Sequence, residues 1–110
     1  MVIGGYAAGK RDWVHAHLGY LEEDFSRDLD DSRPVLYDLQ ALDVTDAAQL
    51  SAKAVVICDE IGCGLVPMDP GERARREQVG RLCIALAKEA EAVVRVVCGV
   101  GTVIKGTLNR

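Results

Sequence analysis

Lys10 stands directly after Gly9 in the string Gly4-Gly5-Tyr6-Ala7-Ala8-Gly9-Lys10-Arg11. These residues fill the first seven positions of the phosphate-loop pattern G-x-x-x-x-G-K-[ST]. Glycine lets such a loop turn tightly, so that its N–H groups point inward and cradle phosphate. The lysine then reaches the β- and γ-phosphates, and the dipole of the following helix adds to the attraction. The eighth position departs from the pattern. Arg11 takes the place of the Ser or Thr whose hydroxyl holds Mg²⁺. Taken alone, the string also fits an ordinary glycine-rich strand-to-helix turn with a solvated lysine.

A second constellation lies further along. Ala54-Val55-Val56-Ile57-Cys58 is a continuous apolar run that ends in Asp59-Glu60. A strand buried on both faces would deliver these two carboxylates to its carboxyl end. In phosphate-loop enzymes such an Asp serves Mg²⁺, and a neighbouring Glu orients or deprotonates the nucleophile. Lys10, Asp59 and Glu60 are therefore the candidate catalytic residues, with Asp59 the candidate Mg²⁺ ligand. The competing reading is a strand followed by two solvated acids.

The remaining polar residues carry less. His15 and His17 are two apart on the helix expected after the loop, so they cannot share a face, and packing or surface roles suit both. Arg73, Arg75, Arg76 and Arg81 make the first half of a later helix basic. Arg73 and Arg76 share a face that could meet a phosphate or an acidic partner, or simply be solvated. Cys58, Cys63, Cys83 and Cys98 do not form the paired C-x-x-C knuckles of a zinc site. Cys58 and Cys98 fall in apolar runs and Cys83 on an apolar helix face, where a thiol acts as a small hydrophobe. Cys63, between Gly62 and Gly64, has a distinct backbone setting.

The elements that must position these groups follow from periodicity. After the apolar Met1–Ile3 run, the spacing predicts a helix from Gly9 to about Glu23, with His17 on its apolar stripe. Residues 22–31 are dense in acid and read as a loop or helix end. A short strand is expected at Pro34–Tyr37 and a mostly helical stretch from Asp38 to Ala52, with a fresh turn at Thr45-Asp46. Asp69 has the chemistry of an N-cap, Pro70 suits the first helical position, and Val79, Leu82, Cys83, Leu86 and Ala90 then recur at helical steps. Ala92–Cys98 reads as a second buried strand, Gly99 and Gly101 as a turn, and Thr102–Lys105 as an edge strand. Strands alternating with helices indicate an α/β fold with a mainly parallel sheet, whose ligand crevice lies beyond the carboxyl ends of the strands. The three glycine-rich segments follow strands and should converge there.

With 110 residues the chain fits one domain spanning positions 1–110. Its net charge of −4 argues against nucleic acid or an anionic membrane as the main partner. No run approaches a membrane span or a signal peptide, so a cytoplasmic setting is expected.

At Glu60-Ile61-Gly62-Cys63-Gly64-Leu65-Val66-Pro67 the sequence resembles the adenosylcobinamide kinase / adenosylcobinamide-phosphate guanylyltransferase family of cobalamin biosynthesis. That family carries N/D-E-V/I-G-x-G-I/L-V-P after a strand. Its Arg-x-x-Arg-x-x-x-Gly-Arg helix pattern is matched by Arg73, Arg76, Gly80 and Arg81, and its G-[IV]-x-x-x-[IV]-K tail by Gly99 to Lys105. The glycines and lysine of its phosphate loop fall on Gly4-Gly5 and Gly9-Lys10. The resemblance implies a P-loop NTPase-like, three-layer fold with a small sheet flanked by helices. It implies a kinase that phosphorylates the hydroxyl of the cobinamide aminopropanol arm with ATP or GTP, followed by guanylylation through a GMP–histidine intermediate. Residues 4–11 would bind the nucleotide, and Gly62, Gly64, Arg73 and Arg76 the substrate or its phosphate. The partners implied are a nucleotide, Mg²⁺, a corrinoid, and further copies of the chain in a small ring.

Three departures stand out. Arg11 replaces the family's Ser/Thr, and Ala8 replaces its Ser before the second loop glycine. Residues 22–51 are too short for the segment that carries the nucleotide-accepting histidine and contain none. The second reading is accordingly a binding module that holds nucleotide or corrinoid without turnover.

Overall fold

The computed structural model describes residues 1–5, 7–44, 46–60 and 70–108. Six strands form one sheet: β1 (Val2–Gly4), β2 (Phe25–Ser26), β3 (Val35–Leu36), β4 (Val55–Asp59), β5 (Val93–Val97) and β6 (Val100–Lys105). Their order is β2-β3-β4-β1-β5-β6. All neighbours are parallel except β5 and β6, which form an antiparallel pair. The chain leaves β1 toward one edge and returns past it from β4 to β5, so β1 lies at the reversal of strand order. In open parallel sheets the ligand crevice forms at that point.

Each face has its own cover. Trp13 and Val14 of α1 (Lys10–Leu18) pack with Val2, Val55, Ile57, Val94 and Val96. Val79, Leu82 and Leu86 of α2 (Pro70–Glu89) pack with Leu36, Val56 and Cys58 on the other face. Alternation along β4 explains the split, because neighbouring side chains point to opposite faces. Burying each such aliphatic side chain contributes about 1.5–3 kcal/mol. The result is a three-layer α/β arrangement with a small, mostly parallel sheet between helices. Among the described residues no helix is long and apolar enough to cross a membrane.

The strands at 35–36, 55–59 and 93–97 and the helix starting at Pro70 agree with the periodicity. Asp69, the expected N-cap, lies outside the described residues. Elsewhere the structure corrects the sequence reading. The first helix stops at Leu18, because Gly19 turns left-handed (φ 77°) and ends it, leaving only a single 3-10 turn at Glu22–Asp24. His17 is exposed rather than part of the buried stripe. Its ring stacks on Trp13 with centroids 4.9 Å apart. Within the acidic stretch the short strand β2 pairs with β3. The stretch 38–52 contains two 3-10 segments, Leu39–Ala41 and Ala47–Leu50, in place of an α-helix. Leu42 is extended and breaks the run, while Asp46 caps the second segment by accepting from the Ala48 N–H at 3.0 Å. Leu39, Val44, Ala47 and Leu50 are still buried against α2. This irregular chain does the work of a crossover helix between parallel β3 and β4.

The β5–β6 turn also differs. Cys98 and Gly99, with φ of 50° and 77°, form a two-residue turn, so Cys98 is exposed and β6 already begins at Val100. Gly101 belongs to the strand and lies under Trp13. A Cβ there would collide with the Trp13 indole. Lys105 reaches from β6 to the end of α2 and donates to the carbonyls of Ala87 and Lys88, both at 2.7 Å. This satisfies two end carbonyls and complements the negative end of the helix.

The Trp13 contact sets an expectation. Gly101→Val should lower the free energy of unfolding by about 1–3 kcal/mol through overpacking. Urea denaturation followed by Trp13 fluorescence measures it, and an unchanged midpoint would refute the close contact.

Candidate functional site

Gly4, the last residue of β1, pairs in register with Asp59, the last of β4. The chain leaving β1 therefore turns over the carboxyl end of the strand that carries the acid. Ala7 (φ 57°) and Gly9 (φ 88°) are both left-handed, and the Ala8 N–H donates to Gly5 O at 3.2 Å, which closes the loop back on itself. The Trp13 N–H donates to Gly9 O at 2.9 Å and opens α1. Lys10 thus occupies the first helical position. Tyr6 lies outside the described residues.

Lys10 is 8 % exposed, a degree of burial that a charged side chain tolerates only when paired. Its ammonium donates to Gly5 O at 2.7 Å and pairs with Asp59 Oδ1 at 2.7 Å. The N–H of Asp59 donates to Gln40 Oε1 at 3.0 Å. The glycine turn after β5 joins them, since the Gly99 N–H donates to Ala8 O at 2.8 Å. Two of the three glycine-rich segments therefore converge, as the sequence suggests. The third, with Gly62 and Gly64, lies outside the described residues.

Ala7, Ala8, Gly9, Lys10, Arg11, Asp38 and Asp59 are among the residues lining a cleft of about 510 Å³. A second cleft of about 550 Å³ shares Arg11 and Asp12 with it and adds His15, Phe25 and Tyr37. The exposed Arg11 stands on the wall between the two. Its guanidinium carbon lies 4.9 Å from the centre of the Tyr37 ring, and that of Arg27 lies 5.9 Å from the same centre. The Arg11 contact is a cation–π contact that holds its guanidinium beside the loop.

The other expected residues are placed differently. Glu60 follows Asp59 and so faces the opposite side of the sheet, where its carboxylate takes hydrogen bonds from Arg95 at 2.6 and 3.2 Å. The fold brings Lys10 and Asp59 together but does not bring Glu60 to them. Arg73 is exposed and Arg76 half-buried on α2, and neither lines the cleft beside the loop. Arg75 reaches back to Leu42 O and Gln78. Asp38 and Gln40 escape the sequence reading because their stretch reads as helix, and Tyr37 because it reads as the end of a strand. The signal available was their place just after the apolar Val35-Leu36 pair, at a strand's carboxyl end.

The donors can be tested against Mg²⁺. Among the described residues no group of three or more His, Cys, Asp and Glu side chains could hold a metal ion. Arg11 fills the position of the usual hydroxyl ligand, and Asp59 is the carboxylate that pairs with the loop lysine. Mg²⁺ commonly binds proteins through one or two carboxylates, with phosphates and waters completing its shell. Asp59 fits that role for an ion that arrives with a nucleotide, and the described residues offer no self-sufficient cage.

A glycine turn between a central parallel strand and a helix, with a lysine on its first turn and an acid on the next strand, defines a P-loop-like α/β domain. The class narrows further by comparison. Residues 13–104 match the family model described as cobinamide kinase / cobinamide phosphate guanyltransferase, and the chain belongs to that family. The family's transferases serve cobalamin biosynthesis. The match begins at Trp13, so the 4–10 loop lies outside it and stands on its geometry. Among curated proteins no match is found.

Removing Asp59 leaves the Lys10 ammonium buried with only a carbonyl partner. Breaking a buried pair costs about 3–5 kcal/mol, and the partial exposure of Asp59 reduces this to about 1–3 kcal/mol for Asp59→Ala. Lys10→Met in the same chain should restore part of that loss. A double-mutant cycle in urea measures the coupling, and additive single effects would contradict the pairing.

Proposed function

We propose that the chain is a nucleotide-dependent kinase that phosphorylates the hydroxyl of a cobinamide arm, with ATP or GTP as donor. The observation that carries this reading is Lys10, held at 2.7 Å from both Gly5 O and Asp59 Oδ1 at the mouth of the loop cleft. Membership of the family supplies the corrinoid substrate class.

In this reading the triphosphate enters the cleft over residues 4–11, and Lys10 exchanges part of its contact with Asp59 for the phosphate oxygens. The loop N–H groups and the α1 N-terminus add partial positive charge. Arg11 reaches toward the terminal phosphate from its seat on Tyr37. Phosphoryl transfer depends mostly on positioning and charge stabilisation, which these groups provide. Mg²⁺, when bound with the nucleotide, neutralises phosphate charge, and Asp59 would hold it on the protein side. Asp59 is also the carboxylate nearest the transfer, while Glu60 would act only after release from Arg95. The adjoining Phe25–Tyr37 cleft offers an entrance for the acceptor hydroxyl. Gly62, Gly64, Arg73 and Arg76 are assigned to substrate through the family motif. A guanylyltransferase step has no histidine of the expected segment in this chain, since His15 and His17 both lie on α1. A cytoplasmic setting belongs to the same reading, as a biosynthetic step on small molecules.

A non-catalytic binding module is the second reading, favoured by Arg11 in the hydroxyl's place. Calorimetry and turnover separate the two. Lys10→Ala should weaken ATP or GTP binding by about 10–100-fold, the value of one charged hydrogen-bond donor to phosphate. Phosphorylated adenosylcobinamide formed by the wild-type protein with Mg²⁺ and nucleotide supports the kinase. Binding without product supports the module, and absence of binding overturns both.

We infer in addition that the chain works as a homo-oligomer. Val97, Val100, Val103 and Ile104 are large apolar side chains left 42–67 % exposed on the β5–β6 edge of the sheet. Large apolar side chains exposed along an open edge invite cover by another chain. Light scattering should give a multiple of the 11.9 kDa chain mass, reduced to one chain by Val100→Asp with Ile104→Asp. A wild-type protein that runs as a single chain would refute this assembly.

A further inference from the structure

Strand β4 and the helix that covers one face of the sheet meet through two sulfur atoms. Cys58 on β4 is fully buried in the cluster formed by Leu36, Val56, Val79 and Leu82. Cys83 on α2 packs against the same cluster and is partly exposed. Their Sγ atoms lie 3.6 Å apart. Packing alone does not require sulfur at either position, because Ala or Val would fill a similar volume among these side chains.

We propose that Cys58 and Cys83 are a reversible dithiol–disulfide site that joins β4 to α2. The sulfurs need to close by about 1.5 Å to reach disulfide bonding distance. The environment also divides the work between them. The hydrogen bond between the two sulfurs holds the Cys83 thiol below its ordinary value. Cys83 is therefore both the more exposed sulfur and the readier thiolate, and the thiolate is the reacting form.

With a peroxide as oxidant the step balances. The Cys83 thiolate attacks one oxygen of hydrogen peroxide, the O–O bond breaks, and hydroxide leaves and takes up a proton. The sulfenic acid so formed faces Cys58. The Cys58 sulfur bonds to the Cys83 sulfur, the S–O bond breaks, and the hydroxyl departs with the Cys58 proton as water. Two thiols and one peroxide give one disulfide and two waters, and a small thiol reverses the change. The link encloses residues 59–82, which include Asp59, Glu60 and the Gly62–Gly64 motif. The site stands apart from the nucleotide reading, since neither sulfur lines the loop cleft.

The test uses the full chain with Cys63→Ser and Cys98→Ser, which leaves only this pair. Treatment with stoichiometric hydrogen peroxide should lower the intact mass by about 2 Da, the two hydrogens lost on disulfide formation. Non-reducing peptide mapping should recover a Cys58–Cys83 linked peptide, and dithiothreitol should return both free thiols. The oxidised form should also unfold at a higher temperature, because the cross-link restricts the unfolded chain. Cys83→Ala, checked for folding by circular dichroism, should leave Cys58 unmodified by the same treatment. Sulfinic acid at Cys83 with no linked peptide, or two thiols that stay alkylatable after unfolding in denaturant, would overturn the proposal. So would a linked peptide formed only between two chains.

Discussion

The ion pair between Lys10 and Asp59 spans two segments that lie 49 residues apart in the chain. A buried ammonium is costly unless a carboxylate and further hydrogen-bond acceptors surround it. Much else follows from meeting that requirement. β1 must lie beside β4 with Gly4 opposite Asp59, and the loop must curl so that Gly5 O faces the ammonium. The turn after β5 must then come close enough for the Gly99 N–H to reach Ala8 O. The same constraint that orders the sheet thus assembles the cleft beside the loop. A pair of this kind is weak as a source of stability. In the proposed reading its value lies in holding a cation ready, with a partner it can give up when an anion enters.

The two sheet faces serve the site unequally. On the α1 face, Ile57 and Asp59 point the way that the loop runs, so the acid meets Lys10 directly. On the α2 face, Cys58 and Glu60 alternate with them and find other partners, Cys83 and Arg95. Two adjacent acids thereby acquire separate fates from a single geometric rule. Lys105 shows a similar economy: a residue matching the family's tail motif closes the end of α2. Motif residues can be retained for the scaffold as well as for chemistry.

Much of the architecture was legible in the chain. The runs at 54–58 and 92–98 are apolar and β-branched, and the pattern after Pro70 repeats at helical steps, so local chemistry named those elements. The stretch 38–52 was not legible in the same way. Its apolar residues are spaced closely enough to suggest a helix and are indeed buried, but the chain there must cross from β3 to β4 while feeding separate side chains into the α2 face. Two 3-10 turns and an extended step meet that demand, and no local signal records it. Asp38 and Gln40 are hidden with it. At the other end, Cys98 looked like core because of its apolar neighbours, yet a two-residue turn between strands needs two left-handed residues and places Cys98 at the tip.

The sequence by itself determined the parts: a glycine loop with a lysine, a buried strand ending in acid, an amphipathic helix, and motifs that resemble one family. These depend on residue type and on spacing along the chain, and both can be read without coordinates. Tertiary structure alone decided the partnerships. It set Asp59 against Lys10 and Glu60 against Arg95, stacked Arg11 on Tyr37, and brought Cys58 to Cys83. Each contact joins residues from different elements, and its distance depends on strand order, register and helix placement. Those are properties of the packed whole, in which every element has to satisfy its neighbours at once.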